Sequence, residues 1–266
     1  MEKFYLSTKK STQVRAKKHL GQHFLNDENI AFNIVKAFTD QCETPDILEI
    51  GPGMGVLTKY LLENKNFNTW AIELDKESIP YLNTNFPQLE NRLIEADFLA
   101  LNFNNHFQNQ FSLIGNFPYN ISSQIVFTLI DNRDKIPLMV GMFQKEVAER
   151  LGAKPRTKDY GILSVITQAY FDVEYMFTVD EHVFTPPPKV KSGVVRLTLK
   201  KTELGCDPKK FKQVVKLAFN QRRKKLSNAI SSLVSDKNLI VNYADKRAEE
   251  LSVEDFVKLT HILLGD

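Results

Sequence analysis

The sequence predicts an α/β protein, with a parallel sheet covered by helices on both faces and a small all-helical unit behind it. Two patterns carry this prediction. Short apolar runs alternate with helical stretches through the first 199 residues, and after Gly205 only helical periodicity remains. A third observation points to where a ligand would sit: the first apolar run passes straight into a glycine-rich turn.

In chain order, Asn26 and Asp27 can cap a helix that carries Ile30, Ile34, Val35 and Phe38 on one face. Pro45 ends that region, and DILEIG (46–51) reads as a short buried strand. A helix over 56–64, a strand TWAIEL (69–74) and a helix from Lys76 follow. RLIEA (92–96), FSLIGN (111–116) and LMVGMF (138–143) are further strands, with helices near 122–131 and 145–150. GVVRLTL (193–199) reads as a late strand. Behind it, Phe211, Val214, Val215, Ala218 and Phe219 share a helical face, continued by Leu226, Ile230 and Leu233. Ser252 and Asp255 form a capping-box pattern ahead of a last helix carrying Phe256, Leu259 and Leu263.

The 266 residues, 42% hydrophobic and 25% charged, suit a soluble globular protein with a sizeable core. The longest apolar stretch, Ile136 to Phe143, is too short to span a bilayer. The opening MEKFYLSTKK has no apolar run, so a chain without a secretory leader is expected. Cys42 and Cys206 make neither a disulfide framework nor a Cys/His cluster, which leads to a reduced, cytoplasmic, metal-free expectation. A net charge of +3 conceals an uneven distribution. Residues 1–24 hold six Lys/Arg and one acid, residues 185–225 thirteen and two, and the remaining body sixteen and twenty-nine. Clustered cations release condensed counterions from phosphates, so a polyanionic partner is expected; a solvated charged face is the plainer reading.

Three sites follow from the pattern. Gly51-Pro52-Gly53-Met54-Gly55 lets a ligand approach the backbone closely, and Glu73 ends the next strand, where a carboxylate can accept from ribose hydroxyls. Val56 breaks the dinucleotide pattern GxGxxG, and the spacing E-x-G-x-G-x-G is like that of class I methyltransferases binding S-adenosylmethionine. A purely structural turn would use the same glycines. Asp97 and Phe98, at a third strand end, could accept from an adenine amino group and cover the ring; alone, Asp97 reads as a helix cap. Asn116-Phe117-Pro118-Tyr119 ends the fourth strand. An exocyclic adenine amine is a poor nucleophile because its lone pair is delocalised into the ring. Two acceptors, the Asn116 side-chain carbonyl and the Phe117 or Pro118 backbone carbonyl, could draw it toward tetrahedral geometry, while Pro118 stiffens the turn and Tyr119 stacks on the base. As a bare tetrapeptide, the same residues are a strand-ending turn.

At these residues the sequence resembles the ribosomal RNA adenine dimethyltransferases, in particular the bacterial group that dimethylates two adjacent adenosines near the 3′ end of 16S rRNA. Besides the motifs above, the resemblance rests on Gly21-Gln22-His23-Phe24-Leu25-Asn26, Glu73-Leu74-Asp75, Asn120-Ile121-Ser122, Phe184-Thr185-Pro186-Pro187-Pro188-Lys189-Val190 and Phe219-Asn220-Gln221-Arg222-Arg223-Lys224. It implies a seven-stranded, mostly parallel, Rossmann-like class I methyltransferase domain at 19–202, behind a basic flexible arm at 1–18. A helical RNA-binding domain follows at 203–266. It implies S-adenosylmethionine contacts at His23, Leu25, Gly51, Gly53, Glu73, Asp97, Phe98 and Asn116, and a target site at Asn116, Pro118, Tyr119 and Phe184, with Phe184 stacking opposite Tyr119. The family commonly has Asn where His23 stands and Leu where Phe117 stands. A core aromatic anchoring its loop is the plainer reading of Phe184. Lys17, Lys18, Lys189, Lys191, Arg222, Arg223, Lys224 and Lys225 are the expected RNA contacts; the last four read as mid-helix, where a solvated face is the default. The expectation is a monomer with no membrane partner, acting on 16S rRNA in the small subunit. Three readings stand beside it: a 23S rRNA dimethyltransferase conferring antibiotic resistance, a ribosome-assembly binding factor with secondary catalysis, and a nicotinamide-dependent dehydrogenase. TPPPKV and FNQRRK match the small-subunit group better.

Overall fold

The structure, a computed structural model, describes residues 14–221, 223–234 and 236–265. Strand β1 (Phe24–Leu25) leads into α1 (Glu28–Thr39), capped by Asp27 Oδ1 accepting from the Ile30 amide at 3.0 Å. Next come β2 (Asp46–Ile50), α2 (Thr58–Glu63), β3 (Asn68–Glu73), α3 (Ser78–Asn85), β4 (Leu93–Glu95) and β5 (Phe111–Asn116). Then follow α4 (Ser122–Asp131), β6 (Leu138–Gln144), α5 (Lys145–Leu151), α6 (Ile162–Tyr170), β7 (Phe171–Val179), β8 (Phe184–Thr185) and β9 (Ser192–Leu199). The C-terminal part holds α7 (Pro208–Asn220), α8 (Leu226–Ala229) and α9 (Val253–Leu264).

Among the described residues the main sheet has seven strands in the order β4-β3-β2-β5-β6-β9-β7. The pairings from β4 to β6 are parallel, and β9 runs antiparallel to both of its neighbours. The chain leaves β2 toward β3 on one side and returns to β5 on the other. That reversal opens a crevice at the carboxyl ends of β2 and β5, the usual ligand position in open α/β sheets. Alternate residues feed two cores. Leu48, Leu113, Met139 and Phe143 join the cluster on one face; Ile47, Ile114, Val140 and Met142 join the other, beneath α1 and α2.

The structure departs from expectation in four places. First, helix α6 and strand β7 are absent from the sequence reading. The chain passes from one into the other at Phe171 with no Gly or Pro between them, so no breaker marks the change of period. Second, the apolar core does not stop near residue 202: Phe211, Val214 and Phe256 belong to the same cluster as Ile166 and Val195. The Tyr160 hydroxyl also donates to the Leu251 carbonyl at 2.8 Å across that boundary. Third, α7 ends at Asn220 and α8 starts at Leu226, so Arg223, Lys224 and Lys225 lie in an exposed connection rather than mid-helix; Arg222 lies outside the described residues. Fourth, residues 14–18 of the expected arm are folded on the body, with Val14 buried and Lys17 bound to Asp75; residues 1–13 lie outside the described residues.

Candidate active site

Four strand ends converge on one cleft. β2 runs into Gly51 and Gly53, whose φ values of 65° and 57° lie in the left-handed region that favours glycine. A Cβ on Gly53 would come within 2.8 Å of the Phe24 ring, whereas one on Gly51 would meet only Pro118 Cδ at 4.0 Å and so face open space. β3 ends at Glu73, which is 5% exposed. Its Oε2 accepts from the Gly53 amide at 3.1 Å, and its Oε1 accepts from the Leu74 and Asp75 amides at 2.9 and 2.8 Å. Burial pushes the Glu73 carboxyl above the usual carboxylate range, against those three donors. Glu49, one strand position before Ile50, is buried too, accepts from the Thr58 hydroxyl at 2.6 Å, and is pushed up by burial to about 8.

Past β4, Asp97 is exposed at the cleft and caps a short turn by accepting from the Leu99 amide at 2.9 Å. Phe98 is buried against Phe103, so it contributes a cleft wall rather than a free ring face. β5 ends at Asn116, whose Nδ2 donates to the His23 carbonyl at 2.9 Å. Among the described residues the Asn116 Oδ1 and the Phe117 carbonyl take no hydrogen bond, while the Pro118 carbonyl accepts from the Ile121 amide at 3.2 Å. The Phe117 ring is buried, 1% exposed, in space left by two glycines: a Cβ would come within 2.7 Å of it at Gly115 and 2.0 Å at Gly141. Tyr119 is half-buried, its hydroxyl 2.6 Å from Ser192 Oγ, and burial raises its pKa.

A strap over residues 17–26 closes the cleft from above. Asp75 carries a fully buried carboxylate that accepts from Lys17 Nζ at 2.5 Å, Gln22 Nε2 at 3.3 Å, the Glu77 amide at 3.0 Å and Ser78 Oγ at 3.2 Å. Burial alone would raise the Asp75 pKa, but these donors outweigh it and hold the group below its ordinary value. The strap continues into β1, which pairs antiparallel with β8, and Asn26 Nδ2 donates to Thr185 Oγ1 at 2.7 Å.

Not every expected residue reaches the cleft. Gly51, Gly53, Glu73, Asp97, Asn116, Pro118, Tyr119 and His23 line it. Leu25 does not: it is 4% exposed in the core beneath α1, and Phe24 forms the wall instead, because the pleat turns alternate strand residues to opposite sides. Phe184 is 2% exposed in that same core and is not a cleft wall, in keeping with an aromatic that anchors its loop. Leu74, 51% exposed at the cleft mouth, is missing from the sites expected from sequence. Its signal is an apolar side chain just past a buried strand end. Of the basic residues, Lys18, Lys189, Arg223 and Lys224 are exposed; Lys17 is held by Asp75, Lys191 by Asp180 at 2.5 Å and Lys225 by Asp245 at 2.7 Å. Among the described residues no cluster of three or more His, Cys, Asp or Glu could hold a metal, and no helix is long and apolar enough to cross a membrane.

Comparison with known proteins agrees with this geometry. Residues 13–264 match the family described as Ribosomal RNA adenine dimethylase. A Flavobacterium johnsoniae protein named Ribosomal RNA small subunit methyltransferase A is 55% identical over 260 residues, covering 96% of this chain and 98% of its own. A Cytophaga hutchinsonii protein of the same name is 54% identical over 255 residues, covering 95% and 99%. Among solved structures, a dimethyladenosine transferase from Plasmodium falciparum superposes with a TM-score of 0.76 at 26% identity, covering 89% of this chain and 96% of that one.

Proposed function

The chain belongs to the ribosomal RNA adenine dimethylase family, and we propose that it uses S-adenosylmethionine to dimethylate the exocyclic amino groups of two adjacent adenosines near the 3′ end of 16S rRNA. The observation that carries this reading is the placement of Asn116 beside the Gly51–Glu73 crevice, with two carbonyl oxygens left unpartnered among the described residues. Relatives named for the small subunit favour that target over 23S rRNA.

The residues present fit the cofactor. The missing Cβ of Gly51 leaves room at the turn, and the cleft sets a few polar groups, Glu73, Asp97 and Asn116, among apolar walls, as small-molecule sites do. Glu73 would accept from ribose hydroxyls, and Asp97 from the adenine amino group. Gly53, His23 and Phe98 would complete the walls, with Leu74 at the mouth. When bound, S-adenosylmethionine supplies an electrophilic methyl group on a sulfonium. Asn116 Oδ1 and the Phe117 carbonyl would accept from the two hydrogens of the target amine, localising its lone pair. Pro118 fixes those carbonyls, and Tyr119 offers its ring to the flipped base. Catalysis then rests on orientation and hydrogen-bond acceptance, with no covalent enzyme intermediate. Transfer leaves the methylated amine cationic and strongly acidic, so it releases one proton to water at the open cleft; one amino hydrogen then remains, and either carbonyl can hold it.

The exposed Lys18, Lys189, Arg223 and Lys224, with the helical segment 203–266, are read as the face toward rRNA in a cytoplasmic monomer. The experiment supplies labelled S-adenosylmethionine with immature small subunits, large subunits or naked rRNA, and maps labelled adenines. Label on two adjacent small-subunit adenines is expected. Label confined to large subunits, or none on any RNA, would overturn the proposal.

A further inference from the structure

Tyr119 is gripped at two points that neither the turn nor the cleft requires. Its hydroxyl lies 2.6 Å from the Oγ of Ser192, a fully buried residue. Ser192 opens β9 and is paired with Gln144 on one side and Val179 on the other, so its backbone is fixed by two neighbouring strands. The His23 ring stacks on Tyr119, with centroids 5.2 Å apart and planes at 29°. The same imidazole donates from Nδ1 to the Pro186 carbonyl at 2.7 Å, and the His23 backbone carbonyl accepts from Asn116. His23 therefore touches both ends of the Asn116–Tyr119 motif and the proline-rich loop as well.

We propose that Ser192 and His23 are positioning residues for methyl transfer: they hold the Tyr119 ring in one orientation, and His23 ties that orientation to the loop at Pro186. This rests on the reading of Tyr119 as the platform for the target base. An unrestrained tyrosine ring turns about two side-chain torsions, and each productive encounter must first arrest it. A ring held from its edge and one face is already arrested. Ser192 acts on the oxygen and His23 on the π-face, so the two effects separate by mutation.

Ser192→Ala, Tyr119→Phe and the double variant are compared with the wild type on small subunits. Each single change is expected to lower kcat on the order of tenfold, about the rate equivalent of one neutral hydrogen bond. KM and the affinity for S-adenosylhomocysteine should stay unchanged, and the double variant should be no slower than either single. A double variant slower by a further tenfold, or a loss of ligand affinity in Ser192→Ala, would mean that Ser192 acts elsewhere and would overturn the proposal. His23→Phe keeps a ring on Tyr119 and loses the bond to Pro186, so it should lose less rate than His23→Ala; equal losses would remove the stacking role. A second readout needs no activity. Carbon-13 ring resonances of Tyr119 should show slow flipping in the wild type and fast flipping in His23→Ala, which uncovers the ring face. Equal flip rates would overturn the clamp. Absence of methyl transfer by the wild type would instead overturn the proposed function and leave the flip comparison to decide the clamp.

Discussion

Replacing Glu73 with Gln tests how one carboxylate builds the crevice proposed to hold the cofactor. Glu73 accepts from three backbone amides, two through Oε1 and the Gly53 amide through Oε2. Glutamine has a single acceptor oxygen. It retains most by placing that oxygen at the Oε1 position, which turns its NH₂ toward the Gly53 amide, donor against donor. A hydrogen bond to a charged acceptor contributes about 1.5–3 kcal/mol, and relief of the desolvation that raises the Glu73 pKa offsets part of its loss. The expected loss of stability is therefore about 1–2 kcal/mol. Cofactor affinity should fall further, roughly 10- to 100-fold, because the repelled Gly53 turn moves and the anionic acceptor is gone. Glu73→Asp keeps the charge but withdraws it by one methylene from Gly53, so it should be intermediate. Calorimetric titration with S-adenosylhomocysteine and thermal unfolding measure the two effects. Wild-type ligand affinity in Glu73→Gln would show that the carboxylate neither sets the Gly53 turn nor binds the ligand.

Burial lifts the Glu49 carboxyl to about 8, so from the ordinary carboxylate value up to about pH 8 the folded chain retains a proton that the unfolded chain releases. Stability should fall as pH rises through that window, and Glu49→Gln should flatten the dependence of Tm on pH; an unaltered slope would count against it. Gly141→Ala drives a Cβ to 2.0 Å from the buried Phe117 ring, which should cost about 1–3 kcal/mol and disturb the Asn116 turn. Adding Phe117→Leu should restore both Tm and methyl transfer, and failure of that rescue would show that the ring is not the obstacle. Substituting Arg223 and Lys224 with Ala should weaken RNA binding and lower its salt slope by about one for each phosphate no longer neutralised. An unchanged slope would make the connection after α7 a solvated surface.

The sheet was legible because strands buried on both faces read as apolar runs, and DILEIG and FSLIGN became β2 and β5 nearly to the residue. Glu73 and Asn116 could be placed because a strand end has a fixed position in a parallel sheet. What sequence could not supply was side-chain direction over long separations. The pleat at β1 sends Leu25 inward and Phe24 to the cleft, and the β1–β8 pairing that buries Phe184 joins residues about 160 positions apart. The basic run after α7 misled for a local reason. Apolar spacing from Phe211 to Leu233 suggested one helix, yet the chain turns after Asn220 and re-enters the core at Leu226. Helix α6 passes unbroken into β7, where an irregularity between Tyr175 and Phe177 interrupts the alternation and leaves Tyr175 exposed, so neither a breaker nor a sustained period of two marks the strand.

In the proposed function, Asn116 presents an adenine amine of small-subunit RNA for transfer. The most direct test incubates the wild type and Asn116→Ala with S-adenosylmethionine and immature small subunits, quantifies methylated adenosines by mass spectrometry, and measures subunit binding in parallel. Dimethyladenosine is expected at two adjacent positions with the wild type, and none with Asn116→Ala at nearly equal subunit binding. Methylation by Asn116→Ala at the wild-type rate, or equal loss of methylation and binding, would contradict that role for Asn116.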